Sequence, residues 1–363
     1  MENKTLGIIS IVCLLVIVSS LVVLAINKKE NLSPEILENC KTISYKGDGK
    51  INLVFFSDEE TAKEYSEFLL NTEPFSENKN AFNIFYIDDY APKCELYKNI
   101  AILCYSKELI KKSASCPNDF IIVPETKPSN IRSSAYMNVV SINTNSPKEV
   151  LVHEFGHVFA NLADEYVPAT LPRKSENCVK KCENFDGKED SCEVGCSKEN
   201  YYRSINTGVM RTLSSKNYGT FNEEIILKNI PSSSSITGNV VSNPTECSSQ
   251  KYALVEGIYQ DGKVIIKETS LARGCVGNSG TGNFDYSIIL SDNSDLAGEF
   301  NPELIFTDAE GEEQIDGSVL ASERNFLLKI PIIENAKTLK IILDSQTLAE
   351  VNLENLGASP CKK

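Results

Sequence analysis

Tryptophan is absent from this 363-residue chain, and histidine occurs only twice, at His153 and His157. No indole is available to any site, and imidazole chemistry is confined to one five-residue string. Basic side chains are in deficit, with 36 Lys and Arg against 50 Asp and Glu and a net charge of −14. Such a balance does not neutralise a run of phosphates, which argues against nucleic acid as a partner. No internal repeat is visible. A hydrophobic content of 41% with 24% charged residues rules out wholesale disorder and allows one large domain or two ordinary ones.

Leu6 to Ile26 is an uncharged apolar run of 21 residues, about 30 Å as a helix and therefore long enough to cross a bilayer. It reads as a transmembrane signal anchor over residues 1–30, with a cleaved signal peptide, and hence secretion, as the alternative. The flanking charges, Lys4 before the run and Lys28 and Lys29 after it, lean towards a cytoplasmic body by the positive-inside rule. The cysteines point the other way. Cys13 lies in the run and eleven more follow, dense usage for a reducing cytosol. The expectation is an extracytoplasmic body tethered to the membrane through residues 6–26.

Residues 31–46 read as a polar tether. Ile51 to Phe56 reads as a strand, and Ser57 with Glu60 as a capping box opening a helix that runs to Leu70. Phe82 to Ile87 and Phe120 to Val123 read as further strands, with a weaker one over Tyr136 to Ile142. Strands alternating with helical segments predict an α/β or α+β layer domain over residues 47–230. Ser146-Pro147-Lys148-Glu149 predicts a helix start with Ser146 as N-cap. The Pro-bracketed, Ser-rich stretch 231–246 reads as a linker. Beyond it, short β-prone runs at 252–259, 263–268, 286–290, 303–306, 325–330 and 338–343 predict an all-β sandwich over 247–363.

The helix after Glu149 carries V-H-E-F-G-H. His153 and His157, four residues apart, share one helix face and suit the grip of a zinc ion. Glu154, about 100° further round, is placed to work on water bound at the metal. A catalytic zinc needs a third protein ligand and an open position. Asp164 follows His153 by eleven residues, about 16 Å along an unbroken helix, so the helix must stop first. Asn161, tolerant of the left-handed conformation, is the expected stop.

His153–His157 followed by Asn161-x-x-Asp164 resembles the extended zinc motif of metzincin peptidases, with one extra helical residue and Asn in place of Gly. More narrowly, HEFGH followed by L-A-D-E-Y resembles the IgA-peptidase family of zinc metallopeptidases. The likeness spans roughly residues 50–230 and includes INLVFFSDEETAKEYSEFL, FNIFYI and EVLVHEFGH. It implies a metzincin-like zinc peptidase domain, with His153, His157 and Asp164 as ligands, Glu154 as general base and Glu165 as the alternative third ligand. It also implies a supporting Met-turn, for which Thr207–Arg211 with Met210 is the candidate, and an edge strand around Tyr136 to Ile142 that pairs with an extended substrate. Tyr166, Tyr201, Tyr202, Arg211 and Tyr218 are candidates for stabilising an oxyanion.

Cys178-x₃-Cys182 and Cys192-x₃-Cys196 bound an insert, residues 178–196. The spacing suits two disulfide rungs, Cys178–Cys196 and Cys182–Cys192, or a four-cysteine zinc site; an oxidising location favours the disulfides. Cys40 is the only candidate for a blocking thiol, and a disulfide is its competing use. The expected activity is endopeptidase hydrolysis of extracytoplasmic protein or peptide substrates with one catalytic Zn²⁺. The competing expectations are a non-catalytic adhesion or binding protein, and a metal-dependent amidase acting on a non-protein polymer.

Overall fold

A computed structural model describes residues 39–231, 250–277, 280–305, 323–333, 335–354 and 356. The anchor at 6–26 and nearly all of the linker at 231–246 lie outside the described residues. Residues 35–363 group as one compact unit.

The first layer is a six-stranded mixed sheet in the order β1-β3-β2-β6-β8-β7. Its strands are β1 (Lys41–Ser44), β2 (Ile51–Phe56), β3 (Phe82–Ile87), β6 (Phe120–Glu125), β7 (Ser134–Tyr136) and β8 (Val139–Asn143). β2 is parallel to β3 and β6, and β6 to β8, whereas β1 and β7 run antiparallel at the two edges. Between β3 and β6 lies a small hairpin, β4 (Glu95–Tyr97) and β5 (Ala101–Leu103).

The central strands are buried on both faces, as their unbroken apolar runs require. Side chains alternate across the sheet. Leu53, Phe55, Ile84, Phe120 and Ile122 face one core, with Tyr65 and Leu69 of α1 (Glu59–Leu70) and Phe155 and Phe159 of α3 (Glu149–Ala160). α4 (Thr220–Lys228) adds Ile225 and Ile226 to that core. Val54, Phe56, Phe85, Ile121 and Val123 face a second core, closed by Leu109 and Ile110 of α2 (Lys107–Ser113) and by Tyr252 and Leu254.

Those last two residues belong to β11 (Lys251–Gln260), after β9 (Glu193–Cys196) and β10 (Lys198–Arg203) of the cysteine insert. β11 lies between β12 (Lys263–Arg273) and β15 (Glu323–Pro331) in an antiparallel sheet. A second antiparallel sheet has the order β14-β13-β16-β17. It comprises β13 (Phe284–Leu290), β14 (Asp295–Phe300), β16 (Ala336–Leu343) and β17 (Gln346–Asn352). Val255, Phe326 and Leu328 of one sheet and Phe284, Ile288 and Leu339 of the other share a third core.

Several expectations need correcting. The α/β or α+β metzincin-like assignment gives way to a sheet-dominated chain: strand takes 36% and helix 18% of the described residues. The reason lies in the second core, where strand β11 covers sheet surface that an α/β layer would cover with helices. Among the described residues no helix is long and apolar enough to cross a membrane. The longest, α1 and α3, have 12 residues each, about 18 Å. No described helix therefore supports the transmembrane helix, membrane anchoring or the anchored localisation, and these expectations are carried no further. Four disulfides among the described residues, Cys40–Cys116, Cys94–Cys104, Cys178–Cys196 and Cys182–Cys192, still indicate oxidising surroundings.

Local corrections have local causes. The tether expected at 31–46 carries β1, pinned by the Cys40 disulfide. Asp58, not Ser57, caps α1, its Oδ1 accepting the Thr61 N–H at 2.9 Å. α3 begins at Glu149 without a side-chain cap bond, Pro147 falling in the preceding turn. The strand expected over 136–142 is a hairpin, because Met137 adopts a left-handed φ of 55° between β7 and β8.

The second core also holds together through polar contacts. Lys329 of β15 is buried and donates to Asn118 Oδ1 and, at 3.2 Å, to Ser113 Oγ. Tyr105 OH accepts the Leu327 N–H at 2.7 Å. A Cβ on Gly277 would fall 1.5 Å from Asn118 O and one on Gly274 2.5 Å from Ala114 O, so these two positions admit only glycine.

Burial lowers the Lys329 pKa to about 7, and nearby Asp119 only partly opposes it. The unfolded chain then binds a proton between about pH 7 and 10.5 that the native chain does not, so stability rises with pH across that window. Urea titrations at pH 7 and 9 should show the wild type gaining up to about 2 kcal/mol from this group. Lys329→Met should lose that gain; an identical pH response in the two proteins would remove Lys329 as its source.

Candidate metal centre

α3 ends where Asn161 turns left-handed (φ 51°, ψ 34°) and gives its N–H to His157 O at 3.1 Å. Its side chain is tied down by an amide donation to Arg173 O at 2.8 Å. The turn swings Leu162 O onto His157 Nδ1 at 2.6 Å. His153 Nδ1 meets Val209 O at 2.7 Å. A carbonyl accepts only, so both imidazoles carry their Nδ1 proton outward and aim Nε2 inward.

The two Nε2 atoms stand 3.1 Å apart. Asp164 Oδ1 lies 3.0 Å from His153 Nε2 and 3.3 Å from His157 Nε2. Each of these side chains is 1% exposed. Among the described residues Asp164 Oδ2 accepts no hydrogen bond. Three electron-pair donors converging away from water repel one another unless a cation or a proton sits among them. The group His153, His157 and Asp164 could hold a metal ion.

Without metal, a proton serves. Burial works to lower the His153 pKa, but the hydrogen bond and charge of Asp164, with Glu154 behind them, raise it to about 9. Burial pushes the Asp164 carboxyl up, yet His157 and His153 outweigh it and hold it at about 2. Glu154 is completely buried on the same helix.

The loop carrying Asp164 is braced from the cysteine insert. Asn177 accepts the Ala163 N–H at 2.7 Å and returns its amide to Ala163 O at 2.9 Å and Glu165 Oε1 at 3.2 Å. Ser197 Oγ donates to Asp164 O at 2.7 Å. These two residues adjoin Cys178 and Cys196, which are bonded to each other. At the end of the insert β9 pairs with β10, which follows it, in an antiparallel hairpin turning at Ser197. All four insert cysteines are in disulfides, so the four-thiolate zinc alternative is gone. Cys40 is likewise bonded, to Cys116, and cannot block the metal group.

Glu165 stands apart from the three donors. Its Oε1 accepts from Asn177 and, at 2.8 Å, from Asn222 of α4, and burial pushes its carboxyl up to about 7 against those donors. Met210 lies in the turn 208–212 and is fully buried; a Cβ on Gly156 would come 2.9 Å from its Sδ. Tyr218 OH donates to Val152 O, and Arg211 to Asn206 O at 2.7 Å. Tyr201 and Tyr202 sit on β10 of the insert. Among the described contacts none of these joins the three donors. Sequence reasoning missed Asn177, Ser197 and Asn222, whose only sequence signal is that two of them adjoin the cysteines. No protein-family model matches the chain, and no curated protein does.

Two outcomes follow. Metal uptake at pH 7 should release about one proton, from His153, and the release should fade above pH 9; calorimetry in buffers of different ionisation enthalpy measures it. Replacing Cys178 and Cys196 together by Ser should weaken metal affinity about 10–100-fold by loosening Asn177 and Ser197. The Cys182/Cys192 double replacement should leave affinity near wild type, and equal effects from both pairs would reduce the clamp to general stabilisation.

Proposed function

We propose that the chain is a zinc-dependent hydrolase of peptide bonds, with His153, His157 and Asp164 as ligands and Glu154 as general base. The observation that carries this reading is the convergence of three buried donors beside a buried glutamate on one helix. Two imidazole nitrogens and one carboxylate oxygen suit zinc better than calcium or magnesium. The donor separations of 3.0, 3.1 and 3.3 Å approach the roughly 3.3–3.4 Å that ~2.0–2.1 Å bonds impose on a tetrahedron.

A bound ion would supply Lewis acidity towards water and the scissile carbonyl. The chain's own residues do the rest. The Nδ1–H donations to Val209 O and Leu162 O fix both rings, so neither needs reorienting when a cation replaces the proton. Glu154 takes a proton from the attacking water and delivers it to the leaving amine. The peptide class rests on the resemblance of HEFGH and LADEY to the IgA-peptidase family. An amide in another polymer would engage the same groups, and a substrate panel separates the two.

A purely structural metal is the second reading, favoured by the 1% exposure of the ligand side chains. Against it, structural zinc sites are closed by four protein ligands, and three donors converge here.

Glu154→Gln should retain metal by elemental analysis and lose about 10²–10⁴-fold in turnover of an unstructured protein. Equal, chelator-sensitive cleavage by both proteins would take the base role from Glu154. Metal retention with no cleavage by the wild type of any peptide or amide offered would favour the structural metal.

A further inference from the structure

An extended peptide can add to a sheet only at an outer edge, where backbone groups still point outward. The mixed sheet has two such edges, β1 and β7. β7 is the one on which the metal helix packs: Ala135 shares a core cluster with Val152, Phe155 and Val158 of α3.

That edge is already taken by the chain itself. The Ala135 N–H donates to Ile305 O at 2.8 Å and the Ile305 N–H returns to Ala135 O at 3.0 Å, the two-way exchange of an antiparallel pair. The Met137 N–H donates to Asn301 O at 3.2 Å. Ile305 is 4% exposed and sits in the same cluster as α3, while Leu304 enters the core between the two C-terminal sheets. The run expected at 303–306 is thus not a strand of the C-terminal sheets, and among its described residues only Ile305 pairs, with β7. Neighbouring contacts hold it there. Thr281 Oγ1 donates to Val158 O of α3 at 3.2 Å. Lys174, ten residues beyond Asp164, pairs with Asp285 at 2.8 Å and Glu299 at 3.6 Å, and Arg173 pairs with Asp344.

We infer that Asn301–Ile305 is an intramolecular occupant of the substrate edge, so that a substrate peptide and this segment compete for β7 beside the metal helix. This rests on the peptidase reading for its functional meaning. The segment is built to be displaced rather than permanent. The segment gives β7 three backbone bonds, and only Ile305 exchanges both of its backbone groups with the strand, fewer bonds than an extended peptide in continuous register would make. The ion pairs flanking it are exposed, and exposed pairs hold weakly.

The test uses the full chain loaded with zinc, as wild type, as Ile305→Pro, and as Arg173→Glu with Lys174→Glu. The second variant changes only exposed side chains and guards against misfolding of the first. The probe is a fluorescein-labelled peptide copying residues 299–305 with Pro302→Ala. Amide exchange at Ala135 and Met137, probe anisotropy, and hydrolysis of an unstructured protein are measured on each. Exchange at Ala135 should accelerate at least tenfold in the variants, the probe should bind them at least tenfold more tightly, and hydrolysis should rise with it. Faster exchange with unchanged probe affinity overturns the proposal, as does unchanged exchange in both variants. Tighter probe binding without hydrolysis in any form upholds competition at β7 and removes the peptidase reading instead.

Discussion

The structure turns on one electrostatic problem: keeping two imidazole nitrogens and a carboxylate oxygen in mutual contact where water cannot reach them. Left alone, such donors separate or take up a proton. Here each is held from behind by backbone. Val209 and Leu162 carbonyls fix the imidazoles, and the disulfide-bonded insert grips the strand of chain bearing Asp164. A buried acceptor left unsatisfied costs about 1–3 kcal/mol, so the scaffold stores a standing preference for a cation at this point. The left-handed Asn161 ends the helix so that Asp164 can join the two imidazoles.

Much of this group was legible because it is local. The i, i+4 histidines, the need for the helix to stop before Asp164, and Asn161 as a residue able to turn left-handed all lie within twelve residues. What was not legible acts over distance. Asn177 and Ser197 reach the ligand loop from an insert whose sequence advertises only its cysteines. Ile305 meets Ala135 across 170 positions, and a four-residue β-prone run says nothing about which sheet it joins. β14 and β17 were missed because their side chains are largely exposed and leave no apolar run.

The fold-class expectation failed for a related reason. Continuous apolar strands such as INLVFF announce burial on both faces, and helices are the usual cover for a sheet of this kind. They do not announce what the cover is. One face receives α1, α3 and α4, and the other receives α2 with a strand from more than a hundred residues downstream. The apolar N-terminal run is a different case: its length is a statement about residues 6–26 alone, and nothing in the described fold depends on it.

That second face has a consequence for how the molecule is made. Val54, Phe85, Ile121 and Val123 are synthesised well before part of their cover, Tyr252 and Leu254, which lie more than a hundred residues further along. Until then a nascent chain carries an apolar plane with nothing to close it, beside cysteines still to be oxidised. Gly274 and Gly277 fit flush against Ala114 and Asn118, so the same late segment closes on this early surface a second time. A chain ending near residue 231 would therefore leave that plane without Tyr252 and Leu254, open to water on one face.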